Sequence, residues 1–325
     1  MKKHFKKLLL MALMAVMAVG LIACGTDKSD NESTKEEKTS VTITSLDSSK
    51  NEIELEVPYN PKRIAILDLA SLDIIDELGV GDRVVGMAST SIDYLEKYSN
   101  DASIKNLGTI KEADLEAVME CEPDIIFIGG RLSKSYDALS EIAPVVYLAT
   151  DTNEGLVNSV SKNAKTIASI FGMEDKVDSL MSDFGARIDT IKKISSGKTA
   201  LVGMTTSGSF NLLGNDGRCS LIGVEAGFNN LTAAGSTSTH GNETSFETVV
   251  KQNPDYIFVM DRDSAISTAG AKNAKEIVEN ELVKTTDAYK NNHIIYLEHS
   301  NVWYTAEGGI QALDIMLKDL EKGLK

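Results

Sequence analysis

The sequence predicts an α/β protein of two Rossmann-like lobes joined by one long α-helix, with a ligand cleft between the lobes. Three observations carry this. A ten-residue phrase occurs twice, strand-like and helix-like segments alternate around each copy, and a long helical stretch separates the copies. Residues 122–131 read EPDIIFIGGR and residues 253–262 read NPDYIFVMDR. The offset of 131 residues also aligns Leu115-Glu116 with Phe246-Glu247. A period this long indicates two similar lobes rather than a solenoid of short repeats. Each copy reads as a short helix, a Pro-Asp turn, a buried strand and an arginine just past the strand's carboxyl end. In open parallel sheets ligands sit at that edge. Arg131 and Arg262, one per lobe, therefore point to an anionic ligand.

Taken in order, residues 41–47 and 52–57 alternate in polarity around a polar turn, which predicts a hairpin. Strands at 63–67, 84–87, 125–128 and 145–148 then interleave with helices at 69–78, 115–121 and 135–142, the rhythm of a doubly wound sheet. Residues 154–194 read as helix almost throughout. Gly172 divides them, leaving 173–194 as one amphipathic segment of roughly 33 Å at about 1.5 Å per residue. Such a helix serves as a spine between lobes. A second lobe resumes with a strand at 199–204 and continues to Tyr296, and a last helix spans 307–324. The resulting division is an N-terminal lobe 41–172, a connecting helix 173–195 and a C-terminal lobe 196–325. Ser196-Gly197-Lys198-Thr199 resembles the tail of a phosphate-binding loop, but Lys192 stands where glycine is needed and a strand follows.

The amino terminus places the protein outside the cytoplasm. Lys2, Lys3, Lys6 and Lys7 precede an apolar run from residue 8 to 21, and Leu21-Ile22-Ala23-Cys24 looks like a bacterial lipobox. Residues 1–23 are read as a lipoprotein signal peptide. Lipidation of Cys24 would tether the mature chain to the outer face of the cytoplasmic membrane, as on a Gram-positive-type cell surface. Residues 24–40 are rich in Ser, Thr, Lys, Glu and Asp and read as a flexible tether.

Losing the four leader lysines takes the net charge from −15 to −19. That acidity argues against nucleic acid as a partner. It also makes the six arginines informative, since lysines number 27. Cys121 and Cys219 flank strands of different lobes and are expected as free, buried thiols. No Gly-x-Ser-x-Gly elbow, paired Cys–His signature or phosphate loop appears, so no enzyme is expected.

Together these features resemble the substrate-binding proteins of ABC importers for iron–siderophore complexes and cobalamin, over essentially the whole mature chain. Within that class the chain is most similar to the petrobactin and catecholate-siderophore binders. The phrases that carry the resemblance are residues 62–68 with Ser71-Leu72-Asp73, then Ile128-Gly129-Gly130-Arg131 and Asp216-Gly217-Arg218. Ser238-Thr239-His240-Gly241, Val259-Met260-Asp261-Arg262 and Val302-Trp303-Tyr304 complete the set.

The resemblance implies a monomer that captures an anionic ferric catecholate and hands it to a permease with ATPase subunits, with no permanently bound cofactor. It implies that Arg131, Arg218 and Arg262 floor the ligand site. Guanidinium suits such an anion because it stays charged and offers forked donors. It also implies that His240 and Tyr304 ligate ferric iron left unsaturated by a bis-catecholate, an ion that favours hard donors. Trp303 is counted with the ligand-binding residues, either packing beneath the loop or stacking on a catechol. Glu116 and Glu247 are implied as permease-docking residues, with Glu112 and Glu243 at the same offset as alternatives. Haem or cobalamin on the same fold is the competing cargo. Bare zinc or manganese is disfavoured, since the mature chain has only His240, His293 and His299.

Overall fold

The computed structural model describes residues 38–234 and 236–325. The signal peptide, Cys24 and nearly all of the tether lie outside the described residues. The chain opens with an antiparallel hairpin of β1 (Ser40–Leu46) and β2 (Glu52–Pro58). Its turn is closed by the Asp47 carboxylate, which accepts from the N–H groups of Ser49 and Asn51.

The first half contains β3 (Ile64–Leu67), β4 (Val84–Met87), β5 (Lys105–Asn106), β6 (Gly108–Thr109), β7 (Glu112–Ala113), β8 (Ile125–Ile128) and β9 (Val145–Tyr147). Strands run β5-β4-β3-β8-β9 in one all-parallel sheet, and β6 and β7 form a small antiparallel hairpin beside it. Its helices are α1 (Leu69–Glu77), α2 (Glu96–Ser99), α3 (Leu115–Glu120) and α4 (Tyr136–Ser140). Helices α5 (Leu156–Phe171), α6 (Glu174–Leu180) and α7 (Phe184–Ser195) lead to the second half.

There the strands are β10 (Thr199–Thr206), β11 (Ser209–Leu212), β12 (Asn229–Asn230), β13 (Asn242–Glu243), β14 (Tyr256–Asp261) and β15 (Ile294–Tyr296). The sheet order is β13-β11-β10-β14-β15, with β12 joined to β10. Helices α8 (Ser220–Gly223), α9 (Phe246–Gln252), α10 (Arg262–Ala265), α11 (Ala274–Val278) and α12 (Asp287–Lys290) accompany it. Helices α13 (Ser300–Thr305) and α14 (Ile310–Gly323) end the chain.

The repeated phrase has a structural cause. In both halves its strand lies beside the first strand of the sheet, β8 on β3 and β14 on β10, in parallel. Its aspartate pins the start of that neighbour. Asp124 accepts the N–H groups of Lys62 and Arg63, and Asp255 accepts the Thr199 N–H and hydroxyl. Thr199 is thereby the first residue of a strand, not part of a phosphate loop. The preceding helices match too, since Asp114 caps α3 and Ser245 caps α9.

Alternation along the strands explains how two sheets make one body. Ile64, Ile66, Phe127, Val202, Met204 and Phe258 face a single core shared with α1, α5, α7 and α14. The intervening residues face separate cores, Ala65, Leu67, Ile126 and Ile128 in one and Leu201, Ile257 and Val259 in the other. Each lobe thus has a private core on one side and a common helical layer on the other.

The expected spine needs correction. Gly172 does end a helix, in the left-handed conformation at φ 67°. However, residues 173–194 are not one continuous helix: a turn at residues 181–183 separates α6 from α7. Ser179, Ser182, Asp183 and Gly185 cluster there, residues whose side chains or freedom disfavour helix interiors. The Ser182 hydroxyl donates to the Ser179 carbonyl, helping to close α6. The apolar period continues across the break, with Val177, Phe184, Ile188 and Ile191 all buried, so periodicity could not reveal it. The expected helix at 135–142 is present as the shorter α4, and a 3-10 segment, Gly130–Ser135, leads into it.

Candidate ligand cleft

Of the six arginines, three are structural. Arg63 donates to the carbonyls of Cys121 and Glu122, and Arg83 donates to Asn60 and Pro61. Arg187 binds Asp314 at 2.7 Å and Glu321 at 2.6 Å. The other three are the sequence-predicted ones, and they converge on one side chain. Arg131 follows β8, Arg262 follows β14, and Arg218 lies in the loop between β11 and α8. Their guanidinium carbons lie 5.5 Å, 5.6 Å and 4.5 Å, respectively, from the centre of the Tyr304 ring. Arg131 also donates to the Tyr304 carbonyl at 3.0 Å, and Arg262 donates to its hydroxyl at 3.2 Å.

The three cations are not equivalent. Arg262 is paired with Asp263 at 3.2 Å, a carboxylate that is almost fully buried. Arg131 and Arg218 make no ion pair among the described residues. Desolvation in the cleft and the charge of Arg218 both hold the Arg131 guanidinium below its ordinary pKa. Asp68 and Tyr304 pull the Arg131 pKa the other way without reversing the shift, and two close cations with no ion-pair partner make a site that an anion relieves.

This cluster sits at the mouth of a cleft of about 500 Å³ between the two sheets. Asp68, Ser71, Gly129, Gly130 and Arg131 line it from the first half, and Asp216, Arg218, Tyr304 and Glu307 from the second. Leu156, Asn163 and Ile167 of α5 also line it. Arg262 and His240 are not among its lining residues and stand outside this inner volume. The lining from the first half lies at the carboxyl ends of β3 and β8. Asp68, directly after β3, also caps α1 by accepting from Ser71.

His240 is exposed, in a loop held by its neighbours. Arg218 donates to the Thr239 carbonyl at 2.9 Å, and Asn211 donates to the His240 carbonyl. Gly241, at φ 75°, follows it; a Cβ there would meet Asn211 and the Leu212 carbonyl, so only glycine fits. Partial burial, then the charges of Arg262, Arg218, Lys111 and Arg131, push the His240 pKa down. Burial raises the Tyr304 phenol, but the hydrogen bond from Arg262 and the three guanidinium charges outweigh it, and its pKa falls. Both shifts favour the forms that donate a lone pair to a metal.

The remaining histidines are accounted for. His293 stacks on Tyr256, and His299 bonds through Nδ1 to Asp319 at 2.7 Å. Trp303 is corrected from a ligand-binding residue to a core residue. It is fully buried, and its indole N–H donates to Asp319 at 2.9 Å. Cys121 and Cys219 are free and buried, as expected. Glu112, Glu116, Glu243 and Glu247 are all exposed.

Sequence reasoning missed Glu307 and Lys111. Glu307 accepts the Cys219 N–H at 3.1 Å, and burial raises its carboxyl to about 7 against the pull of Arg218. Lys111, in the turn between β6 and β7, adds a cation facing His240 from the first half. No pattern marked either residue, because each acquires its role only from the fold.

Residues 64–300 match the model of a family described as periplasmic binding protein. The chain is 36% identical over 330 residues to the petrobactin-binding protein YclQ of Bacillus subtilis, covering 98% of this chain and 99% of that one. The solved structure of YclQ superposes with a TM-score of 0.80, covering 88% of this chain and 99% of that one. The periplasmic catecholate-siderophore binding protein VctP of Vibrio cholerae is 31% identical, with a TM-score of 0.78 over 87% of this chain and all of that one. A probable siderophore-binding lipoprotein of Bacillus subtilis, YfiY, is 28% identical over 99% of this chain and 98% of its own length. These relatives agree with the resemblance drawn from the sequence. Two sheets facing one cleft and full-length likeness make this chain a member of the periplasmic binding protein family.

Proposed function

We propose that this chain captures an anionic ferric catecholate siderophore, of petrobactin-like or bis-catecholate type, and delivers it to an ABC permease for iron uptake. The observation that carries this reading is the convergence of Arg131, Arg218 and Arg262 on Tyr304 at the mouth of the cleft. A ferric tris-catecholate is a trianion, and charge-assisted bonds from guanidinium groups suit it. His240 and Tyr304 complete the coordination of iron when the siderophore supplies too few donors. The similarity to YclQ and VctP supports a catecholate cargo. Export and lipidation at Cys24 rest on the lipobox, and the name of YfiY supports a membrane-anchored protein of this kind. Glu116 and Glu247 are assigned to permease docking.

The test is a panel of ferric chelates read by fluorescence of Trp303, the only tryptophan and the neighbour of Tyr304 in sequence. Anionic bis- and tris-catecholates should quench it at low concentration, and uncharged hydroxamates, cobalamin and haem should not. Arg131→Ala and Arg218→Ala should each weaken catecholate binding by about 1.5–3 kcal/mol, the worth of a hydrogen bond to a charged group. Equal affinity for neutral and anionic complexes would sink the reading.

A further inference from the structure

Helix α13 carries Tyr304 into the arginine cluster, yet it spans only Ser300–Thr305. So short a helix does not hold its own shape in water, and its N-terminal residue His299 supplies no side-chain cap. A carboxylate of α14, Asp319, bonds to it from the side of α14. Asp319 is 5% exposed and lies among Met316, Leu317 and Leu320. Burying a charge there is unfavourable unless it is fully hydrogen-bonded. Three donors satisfy it, and all belong to α13 or its cap. They are the His299 N–H at 3.0 Å, the His299 ring Nδ1 at 2.7 Å and the Trp303 indole N–H at 2.9 Å.

We infer that Asp319 is a positioning residue: through His299 and Trp303 it fixes the rotation of α13 and so places the Tyr304 phenol among the three arginines. This rests on the reading of Tyr304 as part of the ligand site. Consecutive helical residues project about 100° apart, as 3.6 residues per turn requires. Holding the Trp303 indole therefore sets the direction of its neighbour. On the cleft side, Arg131 binds the Tyr304 carbonyl, so the helix is gripped from both faces. Asn301 of the same helix reaches the Ser91 carbonyl of the first half at 2.9 Å. Glu298 adjoins the same cluster, but Lys322 holds both of its oxygens at 2.6 and 2.7 Å, and the Asp319 oxygens are already taken. The cluster is thus closed by its own partners and serves geometry rather than a second ion.

The experiment reads the phenol of Tyr304 in ligand-free protein labelled with ¹³C-tyrosine, with the signal assigned by its loss in Tyr304→Phe. Asp319→Asn and Trp303→Phe are compared with wild type, both checked for a folded far-ultraviolet spectrum. Both should move the Tyr304 titration midpoint up toward the ordinary tyrosine value, as the ring leaves the guanidinium charges. Both should also weaken ferric bis-catecholate binding, roughly tenfold, as expected for one lost hydrogen bond at the site. A role in stability alone would lower the melting temperature and leave the midpoint of folded protein where it was. An unchanged midpoint in the folded variants overturns the inference, whatever happens to affinity. Should Asp319→Asn fail to fold, Trp303→Phe decides alone. A shifted midpoint with unchanged bis-catecholate affinity would uphold the positioning role and defeat the reading of Tyr304 as an iron ligand.

Discussion

Glu307 stands beside Arg218 in the cleft wall, and its carboxyl titrates at about 7 because burial outweighs Arg218 and the Cys219 N–H. Glu225 lies near enough to push the same way. An anionic cargo disfavours the charged carboxylate, so binding and protonation of Glu307 assist one another. Affinity for a ferric catecholate should therefore rise as pH falls through about 7, and Glu307→Gln should flatten that dependence. Comparing the two proteins with one complex cancels the chelate's own titration; parallel curves would refute the linkage. The sign for folding is also fixed. A raised carboxyl pKa favours the fold at low pH, and that support is lost as pH rises through about 7. Glu307→Gln should thus gain stability relative to wild type in mildly alkaline buffer. The proposed iron-ligating pair, His240 and Tyr304, gives a separate expectation. His240→Ala and Tyr304→Phe should weaken bis-catecholate complexes far more than saturated tris-catecholates, and Tyr304→Phe should alter the charge-transfer band. Equal losses with no spectral change would reduce both to lining. Arg131 and Arg262 were legible because the repeat places them at matching strand ends, and Arg218 and His240 through loop phrases. Glu307 was not, since a glutamate in a helix-like stretch looks solvated until burial is known. Trp303 was misassigned because sequence adjacency to Tyr304 hides that neighbours on a helix face different ways.

The two longest helices among the described residues borrow their N-terminal caps. Helix α14 starts after Gly309 and α5 after Gly155, neither of which supplies a side chain. Asp73 of α1, fully buried, accepts the N–H groups of Gln311 and Ala312 at 2.9 Å and the Tyr94 hydroxyl at 2.6 Å. Glu225 of the second half accepts the Val157 N–H at the start of α5, at 3.1 Å. A Cβ at Gly309 would sit 2.3 Å from the Asp73 carboxyl carbon, so the glycine makes room for the cap. Asp73→Ala would strand three donors at once, the buried Ala312 N–H and the part-buried Gln311 N–H and Tyr94 hydroxyl, and should cost about 3 kcal/mol of stability. Denaturant unfolding checks this, and a change below about 0.5 kcal/mol, the range of an ordinary surface substitution, would refute the borrowed cap. Such caps explain where legibility stops. Strand positions, the Gly172 helix end and the β1–β2 hairpin follow from local period and turn chemistry. Asp73 and Gln311 are 238 residues apart, and no local rule joins them. The break between α6 and α7 escaped for the opposite reason, because the buried stripe stays in phase across it.

At the scale of the molecule, the shared helical layer fixes how the two sheets stand, and with them the surfaces offered to a permease. Arg187 of α7 grips α14 through Asp314 and Glu321, and α14 is tied to α1 through Asp73. A glutamate on each half is therefore held at a set separation from its counterpart. Glu116 and Glu247 occupy the first turns of α3 and α9, each one residue after the helix start. Both are exposed, and neither has an ion-pair partner among the described residues. A negative side chain in the first turn of a helix is favoured by the helix dipole, so glutamate suits both positions. Leu115 and Met119, 37% and 54% exposed, flank Glu116 and give that face an apolar border. One exposed ion pair contributes only about 0.2–1 kcal/mol, but two at a fixed spacing also select orientation. Glu116→Ala with Glu247→Ala should leave ferric catecholate affinity unchanged in purified protein and abolish iron uptake in cells that depend on it. Each single change should give an intermediate rate, because one grip remains. Normal uptake by the double variant would refute the docking assignment and move it to Glu112 and Glu243, the other glutamates the repeat places in register.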